Sequence, residues 1–329
     1  MPNGWIILDK PLGLGSTQAV SAVKRNLREG GYGKVKVGHG GTLDPLATGV
    51  LPIALGEATK LAGRMLDASK VYEFTVAFGA ETDTLDLEGK VVATSDARPT
   101  FAEVEGVLPR FAGPIEQVPP AYSALMVDGK RAYDLARAGE AVELKARAVT
   151  IHSLVIGHPE LVSGTIAPSE TVEFGEKWAL KQVQGDESCL LDEITLIAHV
   201  SKGTYIRSLA RDIARALGTA GHVTMLRRLR AGPFGLDQAI LLDKLNDVGK
   251  GAPLENILLP LEAGLVDIPA LNLSPEQARA VKQGRVLTGL ALTDGVYWGK
   301  AGTLPVALVE FSGGSLTVLR GFNLSDVAE

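Results

Sequence analysis

Gly38-His39-Gly40-Gly41-Thr42-Leu43-Asp44-Pro45-Leu46-Ala47-Thr48-Gly49-Val50-Leu51-Pro52 is the stretch on which the reading of this chain turns. It sets one acid among small residues, with glycine at 38, 40, 41 and 49. Glycine lets a backbone turn sharply and approach a ligand closely, and proline bars the α region to the residue before it. Asp44 is therefore expected on a stiff, extended loop. An Asp-Pro pair also starts turns and caps helices, and spacing alone does not separate those roles.

Composition bounds what such a loop can serve. The chain has 329 residues, 46% of them hydrophobic, which suggests two domains, or one large domain with an appendage, around well-packed cores. Its one cysteine, Cys189, excludes an internal disulfide and a cysteine-rich zinc site, so a reducing cytoplasm and no metal are expected. The N-terminus has neither the charged nor the apolar region of a signal peptide, and no run of about 18 apolar residues is present, so no membrane association is expected. The formal net charge of −5 argues against a nucleic-acid partner, because phosphate binding usually shows as a basic excess. Local charge differs from the sum. Lys24, Arg25, Arg28, Lys34 and Lys36 precede the central stretch, Arg227, Arg228 and Arg230 come later, and Glu81, Asp83, Asp86 and Glu88 lie between. Basic patches on an acidic chain are compatible with one nucleic-acid-binding face. No internal repeat or low-complexity tract points to another architecture.

In chain order, Gly4 to Pro11 reads as a short apolar strand ending in Lys10 and Pro11. Gly13-Leu14-Gly15 is not a dinucleotide loop, because Gln18 stands where a third glycine is needed, and no Walker lysine follows. Ser16 or Thr17 is expected to cap a helix with Val20, Val23 and Leu27 inward, stopped by Gly30-Gly31. Its other face carries Lys24, Arg25 and Arg28, which pattern alone reads as a solvated face, with phosphate contact as the alternative. Tyr72, Phe74, Val76 and Phe78 alternate with Val71, Glu73, Thr75 and Ala77, the period of a strand with one buried face. By composition Tyr72 is a core tyrosine, and Thr82 to Gly89 is an acidic turn.

Pro119 to Arg137 combines prolines, Gly129 and basic residues, as a projecting loop and helix does. A strand from Val149 to Ile156 then leads into residues 157–193, which show no clear period. Ile194 to Val200 reads as a strand, and Ile206, Leu209, Ile213 and Leu217 define a helix face ended by Gly218. Arg207 falls off that stripe, as a surface arginine would, and Leu226 passes as ordinary core. Ser274-Pro275-Glu276-Gln277 is a capping box opening a short helix to Gln283. Val306 to Phe311 and Leu316 to Arg320 read as a hairpin through Ser312-Gly313-Gly314-Ser315.

Several of these stretches resemble one family. Gly38-His39, Gly41 to Pro45, Ala47 to Gly49 and Leu51-Pro52 are closely similar to the central motif of the bacterial tRNA pseudouridine-55 synthases, the TruB family. Leu8-Asp9-Lys10-Pro11, Lys202-Gly203-Thr204-Tyr205-Ile206-Arg207 and His222 to Arg228 resemble its other motifs. The resemblance covers most of residues 5–235 and, more loosely, the tail.

The resemblance implies an α+β fold: a pseudouridine-synthase-like mixed sheet with flanking helices in residues 1–264, and a small β-rich PUA-like domain in 265–329. It implies a thumb-like segment at about 119–148, with Met126 where the family usually has lysine, and an insertion at about 157–193. Uridine 55 in the T-arm loop of tRNA would be flipped out and isomerised without a cofactor. Asp44 is then the catalytic group, as nucleophile or general base. His39 enters the RNA fold, Tyr72, Tyr205 and Leu226 line the base pocket, and Arg207 pairs with Asp44. Lys10 and Pro11 support the site from behind, and Asp86 lies near the RNA cleft. The tail is expected on the acceptor end of the tRNA, and the protein is expected as a cytoplasmic monomer. A non-catalytic RNA-binding or RNA-folding protein would share the patches and the tail without needing Asp44.

Overall fold

The computed structural model describes residues 1–127, 129–140, 142, 144–157 and 189–324. The expected insertion lies outside the described residues except at its two ends. Backbone contacts divide the chain into two units, residues 1–68 with the chain from Arg230 onward, and Ser69–Leu229.

In the first unit, the apolar run of strand Gly4–Lys10 is buried throughout except at Asp9. It pairs antiparallel with strand Ala47–Leu55, Gly4 opposite Leu55 and Lys10 opposite Gly49. The short strand Val37–His39 pairs with the same partner, His39 opposite Ile53. Together these strands fix both ends of the loop that holds Asp44. Helix Ser16–Glu29 turns Ala19, Val20, Val23 and Leu27 inward, as its period requires. Its cap differs from expectation. Gly15 is the N-cap, its N–H donating to Gln18 Oε1 at 2.8 Å, because the Ser16 hydroxyl is engaged elsewhere.

The C-terminal part of this unit is β-rich. Ala270–Asn272, Gly295–Ala301, Leu304–Ser312, Ser315–Gly321 and Leu287–Thr288 form a five-stranded sheet in that spatial order. Helix Pro275–Lys282 packs Ala278 and Val281 into the same core. Its capping box is as read, Ser274 Oγ accepting from the Gln277 N–H and Gln277 Oε1 from the Ser274 N–H. The hairpin is also as read, turning at Gly313 (φ 56°) and Gly314 (φ 78°). Lys60 ties the end of the last strand to the first 68 residues, donating to the Gly321 carbonyl at 2.8 Å and to Glu57 at 2.6 Å. Glu57 also accepts from the Asn323 N–H at 2.6 Å.

In the second unit the strands Gly221–Ala231, Lys70–Phe78, Glu193–Val200, Arg147–Ile156 and Gly113–Gln117 lie side by side in that order. The last four pair antiparallel. Phe74, Val76, Leu196, Ala198 and Ile151 face the helix Ile206–Ala216, which adds Leu209, Ala210 and Ile213 to one core. Full burial of a side chain the size of Phe74 contributes about 2–3 kcal/mol. The expectation of one buried face on Lys70–Phe78 needs correction, since Glu73 and Thr75 on the opposite face are each only 7% exposed. An interior strand of a covered sheet has no wet face. Thr75 satisfies its hydroxyl against Thr195 across the strand pair at 2.9 Å. Burial pushes the Glu73 carboxyl above its ordinary value, with Arg227 pulling it back. The whole is an α+β arrangement of sheets with flanking helices and a β-rich C-terminal part.

Burial raises the Glu57 carboxyl, but the Asn323 N–H and Lys60 outweigh it, and the net displacement is below the ordinary value of 4.5. A carboxyl lowered in the folded state contributes stability above its unfolded value and loses it as pH falls through the folded one. Glu57→Gln should therefore lower the melting temperature at pH 7 by about 2 °C, and the gap to the native chain should close below pH 4.5 in a pH series of thermal melts.

Candidate active site

Asp44 sits half-buried on the loop between His39 and Ala47. Both of its neighbours are tied to residues 10–16. The Leu43 N–H donates to Ser16 Oγ at 2.8 Å, and the Ser16 hydroxyl donates to the Leu43 carbonyl at 2.9 Å. The Pro45 carbonyl accepts from the Gly13 N–H at 2.9 Å and from Lys10 Nζ at 3.3 Å. The Asp44 carbonyl itself closes a turn with the Ala47 N–H at 3.0 Å. The carboxylate is thus mounted on a backbone that is pinned on both sides.

Lys10 is wholly buried and donates in addition to the carbonyls of Leu14, at 2.6 Å, and Pro11, at 3.1 Å. A buried ammonium is tolerated only when such dipoles replace its water. Pro11 itself is exposed and contributes its carbonyl. Gly40 is needed for closeness, since a Cβ there would lie 2.5 Å from the Met65 Cβ. His39 is half-buried at the end of its strand, one residue before that close approach.

The second unit carries the other candidate residues. Arg207 is 7% exposed, so it is no surface arginine. It lies off the apolar stripe, as its helical position requires, but that side of the helix is covered too. Its Nη1 donates to the Thr84 carbonyl at 2.7 Å and lies 3.3 Å from Asp86 Oδ2, and its Nη2 donates to the Tyr122 carbonyl at 3.1 Å. Asp86 is held for this role, its Oδ1 accepting from the Thr84 hydroxyl at 2.5 Å and from the Glu88 N–H at 3.0 Å. Between them Leu85 adopts φ 63°, a left-handed conformation that costs a non-glycine residue about 1–3 kcal/mol. Its carbonyl accepts from the Val223 N–H at 3.0 Å, docking the acidic turn on the strand that bears Leu226. Gly89 has no room for a side chain, because a Cβ would strike Asp83 and Thr84.

Tyr72 and Leu226 are half-buried and pack against the same core. Tyr205, the N-cap of the helix, is also half-buried, and its backbone is gripped by Gln117. Gln117 Nε2 donates to the Tyr205 carbonyl at 3.1 Å, and Gln117 Oε1 accepts from the Tyr205 N–H at 2.8 Å. In the thumb-like segment, strands Met126–Val127 and Lys130–Arg131 pair and helix Ala132–Arg137 follows. Met126 is 62% exposed there.

Sequence reasoning did not assign a positioning role to Ser16, Gln117, Thr84 or the Tyr122 carbonyl. Ser16 carried a signal, a small hydroxyl residue after a glycine-rich turn, but that signal also fits a helix cap. The other three act across 85 to 123 residues of sequence and leave no local mark. Ser16→Ala should cost about 1–2 kcal/mol in urea unfolding, because the buried Leu43 N–H loses its only short-range substitute for water, and should loosen the Asp44 loop to limited proteolysis.

The model of the family described as TruB family pseudouridylate synthase (N terminal domain) matches residues 28–169, and that of the tRNA pseudouridylate synthase B C-terminal domain matches residues 207–266. A tRNA pseudouridine synthase B of Novosphingobium aromaticivorans is 69% identical over 329 residues, covering 100% of both chains. That of Zymomonas mobilis subsp. mobilis is 55% identical over 321 residues, 98% of this chain and 96% of the relative. Among solved structures, an H/ACA RNP bound to a substrate RNA containing 2'-deoxyuridine superposes with a TM-score of 0.67 at 23% identity, covering 98% of this chain and 86% of that one. A Cbf5-Nop10-Gar1 complex does so with a TM-score of 0.67 at 24% identity, covering 97% and 84%. These two likenesses establish the fold, and the near-full-length relatives establish the kinship: the chain belongs to the TruB family of pseudouridylate synthases, enzymes of the isomerase class.

Proposed function

We propose that this chain converts uridine to pseudouridine in tRNA, at position 55 of the T-arm loop, with Asp44 as the catalytic group. The observation that carries the reading is the mounting of Asp44 on a loop whose flanking residues are both tied to the segment 10–16. A reaction that detaches a base and reattaches it needs a carboxylate of fixed position. The names of the relatives supply the substrate class.

The chemistry is an isomerisation. The bond from C1′ of the ribose to N1 of uracil breaks, the ring turns, and a bond forms from C1′ to C5. The proton lost from C5 is balanced by the one gained at N1, so no co-reactant is consumed. A stacked base is out of reach, so it must first be flipped, at a cost of roughly a few kcal/mol that protein contacts offset. Two roles suit the Asp44 carboxylate: attack as a nucleophile, or removal of a proton as a general base. In this reading His39 enters the RNA fold beside the flipped base, and Tyr72, Tyr205 and Leu226 hold the ring. Arg207 orients the Asp44 carboxylate, a task suited to the planar fork of a guanidinium. Lys10, Pro11 and Asp86 support these groups. Residues 1–264 act as the catalytic domain, and 265–329 as a PUA-like domain on the acceptor end. The protein works as a monomer in the cytoplasm.

The test uses an unmodified tRNA transcript with a chelator present. The native chain should form pseudouridine at position 55, and Asp44→Asn should bind the transcript with unchanged affinity while forming none. Product only at another uridine would move the site. Equal activity of native and variant chains would remove Asp44 from catalysis. Binding without product by both would favour the non-catalytic RNA-binding reading.

A further inference from the structure

The helix Ser16–Glu29 leaves a polar face that nothing in the first unit's core uses. Thr17, Gln18, Ser21, Lys24, Arg25 and Arg28 are all exposed, while Ala19, Val20, Val23 and Leu27 are buried. At about 100° per residue, Lys24, Arg25 and Arg28 fall within an arc of roughly 100°, and Thr17 and Ser21 lie in the same arc. The three cations therefore form one stripe. None of them takes part in an ion pair among the described residues. The one acid of the helix, Glu29, stands at its last position, on the side that meets Gly249.

Position gives this stripe its meaning. The first residue of the helix is Ser16, which holds Leu43, the neighbour of Asp44. From Thr17 to Arg28 the helix rises about 16 Å at 1.5 Å per residue. The polar face thus starts beside the Asp44 loop with Thr17 and Ser21, and its cations follow about 12–18 Å along the axis from Ser16. It is a local exception in a chain of net charge −5, since residues 24–36 hold five cations and one acid. Unpaired cations on a rigid helix are suited to tracking a phosphate backbone, where each contact releases condensed counterions.

We infer that this face, through Lys24, Arg25 and Arg28, binds the sugar-phosphate backbone of the RNA that delivers its uridine to Asp44. The inference rests on the proposed function for its choice of RNA. Backbone contacts position the substrate and do not read its sequence, so these residues set affinity and leave the chemical step alone.

The experiment measures tRNA affinity against salt, together with kcat and KM, for the native chain, for Lys24→Gln/Arg25→Gln/Arg28→Gln, and for the charge-preserving Lys24→Arg/Arg25→Lys/Arg28→Lys. All three positions are exposed, so a melting curve should show both variants folded. The glutamine variant should bind about ten- to a hundredfold more weakly at moderate salt, with a log–log salt slope smaller by about two to three. Its KM should rise by a similar factor at unchanged kcat, and the charge-preserving variant should behave as the native chain. An unchanged salt slope in the glutamine variant would overturn the inference even if the enzyme is active. Should the native chain make no pseudouridine, the proposed function fails, but the salt slopes still decide whether this face binds RNA. A fall in kcat with KM unchanged would also overturn it, since the stripe would then act on the loop and not on the substrate.

Discussion

A lysine ammonium with no water around it governs the geometry of this protein's candidate site. Lys10 has no exposed surface, and its three donors need partners that the fold must supply. The carbonyls of Pro11, Leu14 and Pro45 are among those partners. Satisfying one buried charge in this way joins the end of the first strand, the turn before the first helix and the loop bearing Asp44. Ser16 adds a second junction by exchanging two hydrogen bonds with Leu43. Asp44 is the residue between those two junctions. Its own carboxylate is left half-exposed while the backbone on either side is spoken for. The loop is glycine-rich and yet fixed, because the freedom of its glycines is spent on close packing, as at Gly40 against Met65.

The second unit repeats the principle with a guanidinium. Arg207 offers a planar fork of donors, and Thr84, Tyr122 and Asp86 receive them from two separate segments. The same helix begins at Tyr205, whose backbone is fixed by a paired amide contact from Gln117. The left-handed Leu85 is a local cost accepted inside a turn that Asp86, Thr84 and Val223 over-determine. Side chains fixed in this way lose less freedom when a ligand arrives.

Much of this was legible in the sequence where the signal is local. The Ser274 capping box, the hairpin through Gly313-Gly314 and the helix after Tyr205 follow from spacing alone, since each is stabilised by neighbours within a few residues. The family kinship was legible in the wording around Asp44 and Arg207. Burial of polar groups was not. Period-two alternation assigned Glu73 and Thr75 to a wet face, but a strand with neighbours on both edges and cover on both faces has none. Helical spacing put Arg207 off the apolar stripe and could not foresee Asp86 waiting there. Ser16 looked like a cap because a cap and a long-range clasp use the same hydroxyl. Gln117 gave no signal at all, since its partner is 88 residues away.

Lys10 and its carbonyls hold the Asp44 loop, and amide hydrogen exchange reads that hold residue by residue. The amides to follow are those of Gly13 and Ala47, which donate to the carbonyls of Pro45 and Asp44, with strand Lys70–Phe78 as an internal reference. In the native chain both amides should exchange slowly. In Lys10→Met they should lose most of that protection while the amides of Lys70–Phe78 keep theirs. Retained protection at Gly13 and Ala47 in the variant would show instead that the loop holds its shape without the buried ammonium.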